Sequence, residues 1–256
     1  VYKKDDEQLL ENYRPVSTLP IFGKLFEKII YTRLYGFFVC NRVLQKSQFG
    51  FRQGHSTSHA LNYSISYIEK SVREGSNILG IFIDLSKAFD TIDHSILLRK
   101  LQNYGIRGIP LKLIESYLAD RKQHVSILGE ISDDLPVVFG VPEGSCLGPL
   151  LFLIYINDLP NINANAEFVL FADDTNIFVK AKSKYLVYQK ANEILESVNL
   201  YMLANKLHIN LSKCCFIDFN PPKPEELELE KQQFTLRIHN NKMKRVKVLM
   251  QLNFLG

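Results

Sequence analysis

Four stretches of the chain carry apolar residues at helical spacing. They are 25–34, Ala60 to Val72, the residues that follow the acidic cap Asp93, and 185–207. Apolar side chains three and four positions apart lie on one face of a helix, so each stretch predicts an amphipathic helix. The predicted apolar faces of the first and last helices comprise positions 25, 26, 29, 30 and 34, and positions 187, 191, 194, 195, 198 and 202.

Short apolar runs rich in branched and aromatic residues predict strands. Ile78 to Ile83 reads as a buried strand that ends at Asp84. Phe168 to Phe171 and Ile177 to Val179 predict a hairpin, with 172–175 as its turn and both Asp173 and Asp174 at its tip. A further short strand is predicted around 215–219, before the proline-rich break at 221–224.

These elements mix strands and helices without internal repeats, which favours an α/β or α+β fold. A loop over Ser47 to Ser58 feeds the second helix, and the nearly continuous apolar stretch from Gly148 to Asp158 predicts a core helix. The charged stretch 225–231 reads as a solvated loop or insert. The sheet then carries the acidic residues at its strand ends.

Composition adds little to this pattern. The chain has 31 Lys and Arg against 27 Asp and Glu, a net charge of +4 that suits a polyanionic partner and many other proteins. Its four cysteines, at 40, 146, 214 and 215, have neither zinc-ligand spacing nor a disulfide pattern. We find no signal-peptide core and no apolar run of membrane length, so we expect a soluble, intracellular protein without a membrane partner.

The three aspartates are the strongest candidates for chemistry. An aspartate that ends a strand and a pair on a separate hairpin can meet at one sheet edge, where their mutual repulsion favours divalent cations. Two such ions suit nucleotidyl transfer, because they activate an attacking hydroxyl and stabilise a leaving phosphate. The alternatives at this level are structural, since Asp-Asp is a common turn dipeptide and Asp84 alone can cap a strand or helix.

Ordered sequence blocks around these aspartates resemble the reverse transcriptase of non-LTR retrotransposons, particularly the jockey-like group of LINE-type elements. The resemblance runs from Tyr13 to about Phe219. The blocks are Tyr13 to Ser17, Lys24 to Lys28, Gly50 to Thr57, Phe82 to Asp90, Gly140 to Pro149, Phe171 to Asp174, Asn205 to Lys213, and the terminal Phe254 to Gly256.

The resemblance implies an α+β right-hand polymerase fold. Residues 1–77 correspond to fingers and 78–219 to a palm with a ferredoxin-like antiparallel sheet, with parts of 100–140 packing with the fingers. Residues 220–256 correspond to an insert and a truncated primer-grip region. The chain begins with Val and stops within a predicted strand and turn, so we expect it to be a piece of a longer protein, and we expect this piece to lack the thumb.

The implied activity is RNA-directed DNA polymerisation in retrotransposition. Its partners are an RNA template, a DNA primer or target and deoxynucleoside triphosphates, and its cofactors are two Mg²⁺ ions, with Mn²⁺ as the alternative. The family's location is the nucleus or cytoplasm.

Site residues follow from the matching motif positions. By resemblance, Asp84 and Asp173 bind the metals with Asp174 beside them, Lys213 protonates the leaving pyrophosphate, and Phe89 blocks a ribose 2′-hydroxyl. The remaining implied nucleotide contacts are Lys24, Arg52, Leu85, Glu143 and Gly144, and the implied template or primer contacts are Gly140, Pro142, Ser145, Phe254, Leu255 and Gly256. Core packing for Phe89 and surface exposure for the three cations are the structural alternatives.

Two departures from the family motivate a second hypothesis. Glu143 stands where the family usually has Gln, and the chain has no Trp. A carboxylate near the metals weakens activity, so a decayed or domesticated copy that only binds nucleic acid or protein is the alternative function. An RNA-dependent RNA polymerase is a third, which Phe89 and the fingers motifs disfavour.

Overall fold

The structure is a computed structural model, and it describes residues 6, 9, 12, 13, 16–127, 129–220, 235–238 and 241–246. The chain divides into two compact units, one of Val1–Leu44 with Lys87–Ile156 and one of Gln45–Ser86 with Asn157–Gly256. The boundaries between fingers, palm and insert stay predictions. The loop predicted at 225–231 lies outside the described residues, as do Phe254, Leu255 and Gly256, which were predicted to contact template or primer.

The described elements include both helices and strands, as the patterns predicted. The helices are α1 (Ile21–Cys40), α2 (Thr57–Arg73), α3 (His94–Asn103), α4 (Ile109–Leu118), α5 (Leu147–Ile156) and α6 (Lys184–Ala204). The strands are β1 (Asn77–Ile83), β2 (Lys122–Gln123), β3 (Ser126–Ile127), β4 (Glu130–Ile131), β5 (Leu135–Pro136), β6 (Ala166–Phe171), β7 (Asp174–Ala181), β8 (Cys215–Asp218), β9 (Arg237–Ile238), β10 (Asn241–Lys242) and β11 (Lys244–Val246).

The first unit contains the helices α1, α3, α4 and α5. As predicted, Asp93 caps α3, because its side chain accepts a hydrogen bond from the main-chain N–H of Ile96 at 3.0 Å. Almost all of α5 is buried, which confirms the predicted core helix. Within this unit α5 packs against both α1 and α3, and α3 also packs against α4.

The predicted buried face of α1 is wrong in part. Ile30 and Leu34 are buried, but Leu25, Phe26 and Ile29 are each more than half exposed. The buried face passes instead through Glu27, which lies three residues before Ile30 and is only 3% exposed. The helix is therefore rotated so that a carboxylate takes a core position, and three apolar side chains face outward.

The second unit is built on a five-stranded sheet in the order β11-β8-β1-β7-β6. The pairs β1–β7, β1–β8 and β6–β7 are antiparallel, whereas β11 is parallel to β8. The strand pairs within residues 78–219 are thus antiparallel, as predicted, and the sheet becomes mixed only where β11 joins it. The short hairpin pairs β2–β5, β3–β4 and β9–β10 were not predicted, because strands of two residues carry no periodic signal.

Each face of the sheet is covered by one helix. The predicted apolar positions of α6 are all buried, and the helix packs on β1 and β7. On the face of α2, Ile78, Val169 and Phe178 form a core cluster with Ala60 and Phe49. Because side chains alternate along a strand, Phe82 and Asp84 face the same side of β1 as Ile78.

None of the helices within the described parts of the chain combines the length and apolar character needed to cross a bilayer.

Candidate active site

The hairpin of β6 and β7 turns on two residues, Ala172 and Asp173. Phe171 pairs with Asp174, so Asp174 is the first residue of β7 and only Asp173 lies in the turn. The predicted four-residue turn, 172–175, was therefore two residues too long at its C-terminal end, because Asp174 and Thr175 belong to β7. Ala172 has a φ of 57°, a left-handed conformation that L side chains seldom adopt outside tight hairpin turns.

Asp84 is placed beside this hairpin by strand register. It follows Ile83, which pairs with Thr175 of β7. The chain after β1 is then bonded to the segment 208–210, because Asp84 accepts a main-chain hydrogen bond from Asn210 at 2.9 Å. Leu85 is buried and forms an isolated bridge with Ile209, which makes it a packing residue in this structure.

Lys213, three residues beyond this segment, lies near the Asp84 carboxylate. Its Nζ lies 3.4 Å from Oδ2 of Asp84, while its side chain remains 66% exposed. At this distance the ammonium and the carboxylate attract each other, but Oδ2 of Asp84 is buried and accepts no hydrogen bond. Oδ2 of Asp84 thus has a positive charge nearby but no hydrogen-bond donor.

Asp174 lies close enough to Asp173 and Asp84 to be repelled by both negative charges. The pKa of Asp174 is raised, first by partial burial and then by the negative charges of Asp173 and Asp84, and Lys213 opposes the rise. A divalent cation bound here would relieve this repulsion.

The donor set fits a hard divalent cation without forming a closed cage. Among the described residues, no three His, Cys, Asp or Glu side chains are already gathered around one point. Mg²⁺ takes only one or two carboxylates and keeps water and phosphate in its other positions. The buried Oδ2 of Asp84, which lacks a hydrogen bond, and the half-buried Asp173 are suited to such an open site.

A groove of about 730 Å³ lies in the second unit. Asp84, Asp174 and Lys213 line it together with apolar residues of the sheet and of α2. Its aromatic wall comprises Phe82, Phe171, Phe178 and Phe219. The lining of the groove therefore combines apolar side chains with three charged ones.

Arg52 is anchored to the main chain near the hairpin. Its Nη1 donates to the carbonyl oxygens of Gln45 at 2.7 Å and Gln48 at 3.0 Å. Gln48 itself was not predicted to belong to the site, yet its buried Oε1 accepts from the N–H of Ala172 in the turn at 3.1 Å. Only its place within the polar loop that ends at Ser58 marked it in the sequence.

In the first unit, Phe89 and Gly140 lie on two loops that are bonded to each other. Val141 donates to the carbonyl of Phe89 at 2.9 Å. The Phe89 ring packs on Phe152 with 4.8 Å between the ring centroids, so the residue has the core contact that was its structural alternative. Gly140 has a φ of 81°, and a Cβ there would lie 2.8 Å from Cα of Asp90, so only glycine is accommodated.

The loop 142–148 leads into α5. Ser145 donates its main-chain N–H to the carbonyl of Pro142 at 3.1 Å, and its Oγ accepts from Gly148 at 2.8 Å. The carbonyl of Glu143 accepts from Ser17 at 2.9 Å, and Gly144 is exposed with a φ of 93°. The loop is therefore held mainly by hydrogen bonds of its main-chain groups.

Glu27 is a second residue that sequence reasoning missed. Its carboxylate accepts from the Tyr117 hydroxyl at 2.6 Å and from the N–H of Cys146 at 2.7 Å. Burial and this carboxylate both raise the pKa of Tyr117. A signal was present, since positions 27, 30 and 34 share one helical face, and a carboxylate on an apolar face is unusual. Lys24, on the same helix, is exposed.

Sequence comparisons identify relatives of the chain. All of it, residues 1–256, matches the family described as reverse transcriptase (RNA-dependent DNA polymerase). It is 32% identical over 217 residues to the RNA-directed DNA polymerase from mobile element jockey of Drosophila melanogaster, covering 82% of this chain and 24% of the relative. It is 35% identical over 181 residues to the probable RNA-directed DNA polymerase from transposon BS of the same species, covering 66% of this chain and 19% of the relative.

Solved structures show the same fold at low identity. A telomerase from Candida tropicalis, determined with a fragment of telomeric RNA, superposes with a TM-score of 0.57 at 12% identity, over 79% of this chain and 34% of that one. The chain spans about a quarter or less of the length of the two Drosophila relatives. The resemblance to jockey-like elements is confirmed, and the chain belongs to the reverse transcriptase (RNA-dependent DNA polymerase) family.

Proposed function

We propose that this chain carries the catalytic centre of an RNA-directed DNA polymerase. It extends a DNA 3′-hydroxyl with deoxynucleoside triphosphates on an RNA template and releases pyrophosphate. The observation that carries the proposal is the sheet register that brings Asp84 beside Asp173 and Asp174, where the pKa of Asp174 is raised in part by the other two charges. Such a cluster of oxygen donors matches the ligand preference of Mg²⁺, with Mn²⁺ as the alternative.

The aspartates and Lys213 have separate roles in this proposal. Asp84 and Asp173 would hold two divalent cations, with Asp174 beside them. When bound, the ions supply activation of the 3′-hydroxyl and stabilisation of the leaving phosphate. Lys213, already 3.4 Å from Asp84, holds a proton at Nζ that it can donate to the pyrophosphate.

Residues outside the carboxylate cluster select and hold the nucleotide in this proposal. Phe89 excludes a ribose 2′-hydroxyl, and Lys24 and Arg52 attract the triphosphate. A guanidinium that is fixed by two carbonyl bonds, as in Arg52, loses little side-chain entropy when it meets a phosphate. The loop 140–145 contacts the template and primer.

Primer extension on an RNA template tests the assignment. Asp173→Asn removes a ligand charge while it keeps the side-chain size, and it should lower the rate by about a thousandfold or more. Asp133→Asn, at an exposed position of the first unit, is the matched control and should leave the rate unchanged. A wild-type rate in Asp173→Asn would overturn the mechanism.

A second candidate is a copy that binds nucleic acid without catalysis. It is favoured by Glu143, which adds negative charge where relatives of this type usually carry Gln. In that case the full chain binds a primer–template duplex, extends it neither with Mg²⁺ nor with Mn²⁺, and gains no extension from Glu143→Gln. Metal-dependent extension by either form excludes this candidate.

A further inference from the structure

Residues 47–50 run beside β6 as a short parallel segment. Leu170 donates its N–H to the carbonyl of Ser47 at 2.8 Å, and Phe49 donates to the carbonyl of Leu170 at 2.8 Å. Gln48 and Leu170 form the corresponding parallel bridge. The segment therefore reaches the hairpin two residues before its turn begins.

The Gln48 side chain continues this contact into the turn. It is 2% exposed, and its Oε1 accepts from the N–H of Gly50 at 2.8 Å and from the N–H of Ala172 at 3.1 Å. Both neighbours are donors, so the amide presents its carbonyl oxygen to them. Ala172 is the residue with a φ of 57° whose conformation directs the chain into Asp173.

The amide nitrogen of Gln48 is buried and has no hydrogen-bond partner. A buried polar atom without a partner is unfavourable for folding, so the other end of the side chain must contribute something that an apolar residue does not. What it contributes here is an acceptor for the turn.

Gly50 allows the segment to approach this closely. A Cβ on Gly50 would lie 2.2 Å from the nitrogen of Ala172 and 2.8 Å from the carbonyl carbon of Phe171. Arg52 also stabilises the segment, because its guanidinium donates hydrogen bonds to the main-chain carbonyls of Gln45 and Gln48. The Gln48 acceptor, the absence of a side chain at Gly50 and the Arg52 hydrogen bonds thus together hold this loop against the turn that contains Asp173.

We propose that Gln48 is a positioning residue that sets the Ala172-Asp173 turn, and through it the placement of the Asp173 carboxylate for divalent cations. The proposal rests on the proposed function. Partners that orient a metal ligand commonly contribute tenfold to a hundredfold to metal affinity. The loop is therefore part of the catalytic scaffold as well as a candidate nucleotide contact.

Mn²⁺ binding to the full chain without substrate tests the proposal, with electron paramagnetic resonance as the readout. Gln48→Met keeps the length of the side chain but removes the acceptor, and it should weaken Mn²⁺ binding by about tenfold or more. It should also speed hydrogen exchange at the Ala172 amide. Gln189→Met, at an exposed position of α6, is the control and should change neither quantity.

Two further variants keep the test decisive. Gln48→Glu retains a carboxyl acceptor and should hold the Ala172 amide protected. Gln48→Asn, which withdraws the acceptor by one methylene, takes the place of Gln48→Met if that variant does not fold, with the same expected losses. Unchanged Mn²⁺ affinity and unchanged Ala172 exchange in a folded Met or Asn variant would overturn the proposal. If the wild type and Asp173→Asn bind Mn²⁺ equally, the metal site itself is wrong.

Discussion

The Glu27 carboxylate accepts a hydrogen bond from the main-chain N–H of Cys146, 119 residues further along the chain. This contact joins α1 to the loop that enters α5 within the first unit. The Tyr117 hydroxyl donates to the other oxygen of the same carboxylate. A single acidic side chain thereby fixes a loop that we propose lies against template and primer.

Glu27→Ala should destabilise the chain by about 3 kcal/mol, because two partly buried hydrogen bonds lose their charged acceptor. Glu27→Gln should cost about 1 kcal/mol, since its carbonyl still accepts one bond. Denaturant unfolding measures both values. Glu115→Gln, at an exposed position of α4, should have no effect, and an equal loss in this control would show that the buried contacts are not the cause.

Asp174→Asn should stabilise the metal-free chain at neutral pH while it lowers activity. The pKa of Asp174 is raised on folding, so the folded state holds its proton more tightly than the unfolded state does. The stability that this proton provides is complete below the ordinary pKa of 3.8 and is lost as pH rises through the higher folded value. Because the side chain is exposed, solvent screening keeps the gain below about 1 kcal/mol.

Thermal unfolding from pH 3 to pH 7 checks this sign. The difference between Asp174→Asn and the wild type should vanish at the acid end and grow towards neutrality. Saturating Mg²⁺ should reverse the order, because it compensates the charge of the wild-type cluster. A variant less stable than the metal-free wild type at pH 7 would contradict the described repulsion.

Phe89→Ala should raise the use of ribonucleotides relative to deoxynucleotides by about tenfold, which is the scale of a steric contact in a pocket. The substitution also removes the packing on Phe152, so the ratio of the two incorporation rates is the proper readout, since it does not depend on the folded fraction. Phe37→Ala, at a half-buried position of the same unit, should lower stability without changing the ratio. An unchanged ratio in Phe89→Ala would contradict the prediction and would mean that Phe89 serves only in packing.

Glu143→Gln should increase primer extension by about tenfold, which corresponds to removal of one repulsion of about 1.4 kcal/mol near the charged reactants. The fold should persist, since Glu143 is bonded to Ser17 through its main-chain carbonyl. Steady-state extension at low ionic strength measures the change, and added salt should reduce it. Glu130→Gln is the control at an exposed position, and an equal rise there would assign the effect to net charge alone.

The sequence predicted the elements whose signal is periodic. The face of α6, the core helix α5 and the strand β1 ending at Asp84 all agree with the structure. The parallel pairing of β11 with β8 could not be predicted from the pattern, because long-range pairing sets the direction of a strand relative to its neighbour.

Gln48 and Glu27 were missed for a related reason. Both are buried polar side chains whose partners are main-chain N–H groups far away in sequence, at Ala172 and Cys146. Residue type alone marks them as surface positions. The aspartates could be predicted because residue type and strand ends mark them in the sequence, whereas the contacts of Gln48 and Glu27 depend on which loops meet.

The β1–β7 register pairs Asn77 with Ala181, so the carboxylates meet only after a long loop of chain has been closed. Closing such a loop carries an entropic cost that local helix formation does not, and folds of this kind are slow to form. Appearance of the proposed metal site during refolding should therefore lag behind helix formation. A divalent cation that binds only after the strands have paired would then report the time at which this pairing is complete.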